Sequence, residues 1–205
     1  MALVTTEKML KDAQAGHYAV GAFNVENLEF VMAVLAAAEE TKSPVIMQTT
    51  PGTIKSAGLD YFYGMVKAAA ERASVPVALH LDHGDGYDRC MQAFRTGYTS
   101  VMIDGASLSF EENIRFSRQA VDYCHCYGVP VEAELGAIKG KEDDHVSEAD
   151  LKTDPDQVCE FVERTGCDLL AVSIGNVHGL EDEPRIDLPL LEKLAEVSPC
   201  PLVLH

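Results

Sequence analysis

A chain of 205 residues that is 47% hydrophobic and 24% charged carries enough apolar side chains for one sizeable core and reads as a single domain, 1–205. Its 33 acidic and 16 basic side chains leave a formal net charge of −17, a field that repels nucleic acid and anionic lipid headgroups and leaves small molecules as the natural ligands. No apolar run approaches the ~20 residues of a membrane span and the N-terminus lacks a charged-then-apolar leader, so the expected location is cytoplasmic, with the six cysteines as reduced thiols.

Seven short apolar runs recur in chain order, most of them introduced by proline or glycine: 18–24, 44–48, 76–81, 100–104, 130–135, 169–174 and 201–205. Continuous apolarity, in place of alternation, is what a parallel strand covered on both faces requires. Helical spacing fills the intervals, as in Leu28, Val31, Met32 and Leu35, then Val158, Phe161 and Val162, then Leu188, Leu191, Leu194 and Ala195. Asp154 followed by Pro155 reads as a helix start, and Glu111-Glu112 place negative charge at the positive end of another helix.

Regular strand–helix alternation has two common solutions, an open doubly wound sheet or a closed (β/α)₈ barrel. The first strand is followed by no glycine cluster of the dinucleotide-binding type, since the run reads Gly21-Ala22-Phe23-Asn24-Val25-Glu26, and this favours the barrel. A barrel builds its active site at the C-terminal ends of its strands. Polar residues collect there: Asn24 on the first strand, Gln48-Thr49-Thr50 on the second, Asp82-His83-Gly84 on the third and Asp104 on the fourth. The fifth carries Glu132 and Glu134, the sixth runs into Asn176-Val177-His178-Gly179, and the seventh ends at His205.

One histidine at a strand end is an ordinary loop residue. Three of them, His83, His178 and His205, on three different strands supply the number of protein ligands that a catalytic zinc ion takes, with a coordination position left open. His17 and His145 fall at predicted turns, His125 on a helix and His80 within the third strand, and these four read as solvent-facing or packing residues. Glu132 and Glu134 lie two apart on a strand and share one side, either the interior or the helix layer; buried carboxylates there need cations, donors or protons. The glycine-punctuated, charged stretch 136–145 has the composition of a mobile loop over a site, which ordinary solvated loops share. Cys124-His125-Cys126 looks like a metal pair, but a C-x-C on a helix points its thiols to different sides of the cylinder.

Across nearly its whole length the sequence resembles the class II aldolases that cleave fructose-bisphosphate or tagatose-bisphosphate. The resemblance rests on Leu79-His80-Leu81-Asp82-His83-Gly84, Val131-Glu132-Ala133-Glu134-Leu135-Gly136, Glu142-Asp143-Asp144, Ala171-Val172-Ser173-Ile174-Gly175-Asn176-Val177-His178-Gly179 and Pro201-Leu202-Val203-Leu204-His205. It implies Zn²⁺ on His83, His178 and His205, with Glu134 and Asp104 orienting or transiently holding the ion. Asp82 would be the acid/base, Glu142 the second proton carrier, and Asn24 and Gly179 substrate contacts. It further implies a phosphorylated sugar substrate, a monovalent cation as a second ion, and a homo-oligomer, dimer or tetramer. A lysine Schiff base is not expected, because the sixth strand carries no lysine.

Three departures accompany the resemblance. After His178-Gly179 the run is Leu180-Glu181-Asp182-Glu183, where the family carries an aromatic residue and a lysine, and Arg185 only partly offsets these acids. Lys139-Gly140 replaces a pair of glycines before the loop acid. The sequence stops at His205, where the family continues with a glycine-rich phosphate loop, an eighth strand and C-terminal helices, so the expected fold is a TIM (β/α)₈ barrel left with seven strands and two unpaired edges. An inactive homologue acting only through subunit association is the alternative to an active aldolase. A barrel metallohydrolase is a third, disfavoured because the first strand lacks an H-x-H pair.

Overall fold

A computed structural model gives the protein's structure, describing residues 2–142, 145–148, 151–179 and 183–205. In chain order the elements are α1 (Thr6–Gly16), β1 (Gly21–Asn24), α2 (Leu28–Thr41), β2 (Val45–Thr49), α3 (Pro51–Ala57), α4 (Leu59–Arg72), β3 (Val77–Gly84), α5 (Tyr87–Thr96) and β4 (Ser100–Ile103). There follow α6 (Phe110–His125), β5 (Val131–Leu135), β6 (Lys139–Glu142), β7 (His145–Ser147), α7 (Pro155–Thr165), β8 (Leu169–Val172), β9 (Val177–His178), α8 (Leu188–Val197) and β10 (Leu202–Val203).

Seven of these strands form one parallel sheet in the order β1-β2-β3-β4-β5-β8-β10, and each predicted strand contributes one member. The result is an α/β barrel wall with β1 and β10 as its two edges. Every residue of β3, β4, β5 and β8 is buried, as the unbroken apolar runs require of strands covered on both faces. Alternate residues divide the work. Val45, Met47, Val77, Leu79, Val101, Ile103, Val131, Ala133, Leu170 and Val172 join the main core that packs against the helices. The opposite set faces the barrel interior, where Ile46 and Ala78 pack with Met9 of α1 in a second, smaller cluster.

Helix starts follow the local chemistry. The Asn27 side chain accepts the Phe30 N–H at 3.0 Å, Asp154 accepts the Asp156 N–H at 3.0 Å just ahead of Pro155, and Ser109 with Glu112 completes a capping box. The expected apolar faces are buried unequally: Val158, Phe161 and Val162 of α7 lie in the core, whereas Leu28 and Met32 of α2 and Leu188 of α8 are exposed. Both of these helices flank a sheet edge, α2 packing beside α4 and α8 beside α7. Among the described residues no helix is long and apolar enough to cross a membrane.

Two features are absent from the sequence reading. Helix α1 was not predicted; its polar surface hides the few residues, Met9 and Ala13 among them, that it buries. The stretch read as a loop contains β6, which pairs with β7 and with β9 in a separate three-stranded sheet. Gly140 explains the pairing: its φ of 126° and the 2.2 Å that a Cβ there would leave to the His178 carbonyl oxygen both demand glycine.

Candidate metal centre and active site

Three elements bring three imidazoles together at the C-terminal mouth of the sheet. His83 and His178 lie 4.9 Å apart between ring centroids, His83 and His205 4.7 Å, and His178 and His205 5.9 Å. One nitrogen from each lies within 4.8 Å of the others. His83 reaches this point through a break in β3. Simple alternation would send Asp82 inward and His83 outward, but His83 takes φ 45° and the register with β4 shifts between Leu81 and Gly84, so both side chains enter the site. Gly84 makes the shift possible, because a Cβ there would meet the Met102 carbonyl oxygen at 2.3 Å.

For His83 and His205 the ligand nitrogen is selected by what holds the other. His83 Nδ1 sits 2.9 Å from Asp104 Oδ2, which directs Nε2 inward. His205 Nε2 donates to Glu132 Oε1 at 3.0 Å, and its Nδ1 faces Asp82 Oδ1 at 3.8 Å. Asn176 donates through Nδ2 to the His205 carbonyl oxygen at 2.8 Å while its Oδ1 accepts the Ile174 N–H at 2.8 Å, tying the end of β10 to the segment that leads to His178.

Glu132 and Glu134 both face the interior and are buried, yet their surroundings treat them oppositely. Burial alone would raise the Glu132 carboxyl, but the His205 hydrogen bond and the charges of His80 and His205 outweigh it and hold the group below its ordinary value. Burial, reinforced by the charge of Asp104, pushes Glu134 up to about 7, and its Oε2 has no hydrogen-bond partner among the described residues. Glu134 with His83 and Asp104 forms a second group whose ligand atoms lie within 4.8 Å of one another. A buried carboxylate oxygen of that kind beside a cluster of imidazoles fits a cation, which would supply the missing partner. For His205, burial disfavours the charged ring, but Glu132 and Asp82 prevail and raise it to about 9.

Two supporting residues escaped the sequence reading. His80, taken there as a solvent-facing or packing residue, is a buried link: its Nδ1 lies 2.9 Å from Ser100 Oγ, which accepts from Thr6 Oγ1 at 3.1 Å, and its Nε2 faces Glu132 Oε2 at 3.7 Å. A chain of polar contacts thus runs from the first turn of α1 to His205. Gln48, read only as a strand-end residue, donates to Asp82 Oδ2 at 2.6 Å. Neither link follows from spacing along the sequence, because each partner lies on another element.

Asn24, Gln48, Asp82, His178, Gly179 and His205 line one cavity of about 1250 Å³, and Lys141 adds a cation to its wall. The sequence-predicted residues Asn24, Asp82, His83, Asp104, Glu134, His178, Gly179 and His205 therefore gather around one region. Glu142 falls in β6, and its side chain lies outside the described residues, as do Asp143, Asp144, Leu180, Glu181 and Asp182.

Residues 4–205 match the family model for fructose-bisphosphate aldolase class-II. The chain is 47% identical to a fructose-bisphosphate aldolase of Geobacillus stearothermophilus over 209 residues, covering all of this chain and 73% of that protein. It is 48% identical to a fructose-bisphosphate aldolase of Thermus caldophilus, covering 99% of this chain and 68% of that one. The crystal structure of the YdjI aldolase from Escherichia coli K12 superposes with a TM-score of 0.88 at 41% identity, covering 99% of this chain and 72% of that chain.

Proposed function

Because this chain belongs to the class-II fructose-bisphosphate aldolase family, we propose that His83, His178 and His205 hold Zn²⁺. In this reading the site cleaves a ketose bisphosphate, the fructose or tagatose epimer, into dihydroxyacetone phosphate and glyceraldehyde 3-phosphate. The observation that carries this reading is the convergence of three imidazole nitrogens, from three separate segments, within 4.8 Å of one another. The bound ion would supply Lewis acidity that stabilises negative charge developing on the ketose carbonyl oxygen.

The protein's own groups divide the proton transfers. Asp82 is oriented by Gln48 on Oδ2, and its Oδ1 lies on the side of the imidazoles, 3.8 Å from His205 Nδ1 and 3.9 Å from His83 Nε2. Placed there, it takes the proton of the substrate's C4 hydroxyl as the C3–C4 bond opens. The electrons of that bond pass to the dihydroxyacetone phosphate half, whose carbon is then protonated by Glu142, carried on β6 beside His178 through the pairing of Gly140 with His178. Asp104 and Glu132 fix the rings of His83 and His205, and Glu134 stands by as an alternative oxygen ligand. Asn24 and Gly179 line the space for the substrate, and Lys141 offsets part of the negative charge of a phosphate there. No lysine lies on β8, so a Schiff-base route has no nucleophile on that strand.

The test is metal analysis and aldol cleavage on the purified 205-residue chain, with both bisphosphate epimers as substrates. The expected result is one zinc ion per chain, turnover that a chelator abolishes, and recovery on adding Zn²⁺. A chain that binds no zinc and cleaves neither epimer would overturn the reading.

A further inference from the structure

Away from the metal centre, at the opposite end of the sheet, two cysteines meet. Cys167 stands two residues before β8 and Cys200 two residues before β10. The strands pair in parallel with Leu170 opposite Leu202, and the Leu170 N–H donates to the Pro201 carbonyl at 3.0 Å, so the cysteines sit one register step from facing each other. Neighbouring strands lie ~4.8 Å apart and rise ~3.3 Å per residue, which puts the two Cα atoms about 6 Å apart, inside the span a disulfide bridges. Both side chains are buried in the same core cluster, close enough that each thiol shifts the titration of the other.

We propose that Cys167 and Cys200 are a modification site, a dithiol that a hydroperoxide converts to a reversible disulfide with Cys200 as the attacking sulfur. Three observations choose this pair and this order. Cys200 lines the large cavity together with Leu169 and Pro201, which gives a small oxidant a path to its sulfur. Ser198 Oγ also lies 3.8 Å from its Sγ, and the neighbouring Cys167 and Ser198 hold the Cys200 thiol below its ordinary value while that of Cys167 is raised. The remaining thiols are less suited. Burial pushes Cys90 up to about 12 and Cys124 up to about 11, and the exposed Cys126 and Cys159 donate to the carbonyls of Asp122 and Val197.

The chemistry balances in two steps. The Cys200 thiolate attacks one oxygen of ROOH, an S–O bond forms as the O–O bond breaks, and the alcohol ROH leaves with one proton. The Cys167 sulfur then attacks the Cys200 sulfenic acid, so that the S–S bond forms, the S–O bond breaks and water departs with the thiol proton. The two sulfurs together lose two electrons and the hydroperoxide gains them. A dithiol reductant reverses the change by exchange.

The experiment treats the full chain with a modest excess of hydrogen peroxide, blocks the remaining thiols under denaturing conditions, and maps peptides by mass. The expected result is a fall from six free thiols to four, with the Cys167 and Cys200 peptides joined and separated again by dithiothreitol. In C167S a dimedone adduct should accumulate on Cys200, and in C200S the cross-linked peptide should vanish. A C126S/C159S chain, which removes the two exposed thiols, should give the same bridge. Persistence of both Cys167 and Cys200 as free thiols, whether or not Cys126 or Cys159 oxidises, would overturn the proposal. So would a sulfenic acid that forms first on Cys167.

Discussion

β3 and β10 each lead to a histidine of the same cluster, but they hold it by different means. β3 is eight residues long, buried at every position and flanked by β2 and β4. β10 has two half-buried residues and one neighbour, β8. The position of His83 is therefore over-determined by packing, whereas His205 depends on single polar contacts, to Glu132 through its ring and to Asn176 through its carbonyl. Burial falls off in the same way at the other edge, where β1 is mostly exposed.

The largest effect that would break this comparison is loss of a ligand itself. His83→Ala should abolish aldol cleavage and lower zinc affinity by more than the ~10–100-fold typical of losing an outer partner, measured by competition with a chromophoric chelator. Packing comes next. Leu79→Ala on β3, inside the sheet, should cost ~2–5 kcal/mol in denaturant unfolding, while Leu202→Ala on β10, half-buried, should cost less than about 2 kcal/mol. Equal losses at the two positions would remove the distinction between centre and edge.

The outer partners sharpen it further. Glu132→Gln, which weakens the hydrogen bond to the ring of the lightly held His205 and disturbs the link to His80, should reduce zinc affinity ~10–100-fold. Asp104→Asn acts on a histidine that strand packing already positions, and should reduce it less than Glu132→Gln does. The last effect falls within the smaller sheet: Gly140→Ala forces a Cβ into a left-handed position against the His178 carbonyl and should destabilise the chain by ~1–3 kcal/mol in thermal unfolding.

The sequence shows the centre of the molecule better than its edges, for the same physical reason. Strands such as β5 and β8 announce themselves by unbroken apolarity, and the histidines at strand ends declare the site because a barrel's geometry collects them. Leu28, Met32 and Leu188 had the right spacing for buried helix faces and lie exposed, since spacing carries no information about whether a neighbour is there to cover them. His80 reads as packing because its partners, Ser100 and Glu132, come from two other elements. The joint entry of Asp82 and His83 depends on one left-handed residue in a strand, a break in alternation that residue type alone does not announce.

The central claim is that the three imidazoles act as one binding site, and zinc stoichiometry in the single variants His83→Ala, His178→Ala and His205→Ala, measured beside the unaltered chain, tests it most directly. The account predicts one tightly held ion in the unaltered chain and none at the same chelator concentration in each variant. A full equivalent of zinc retained by any of the three would contradict it.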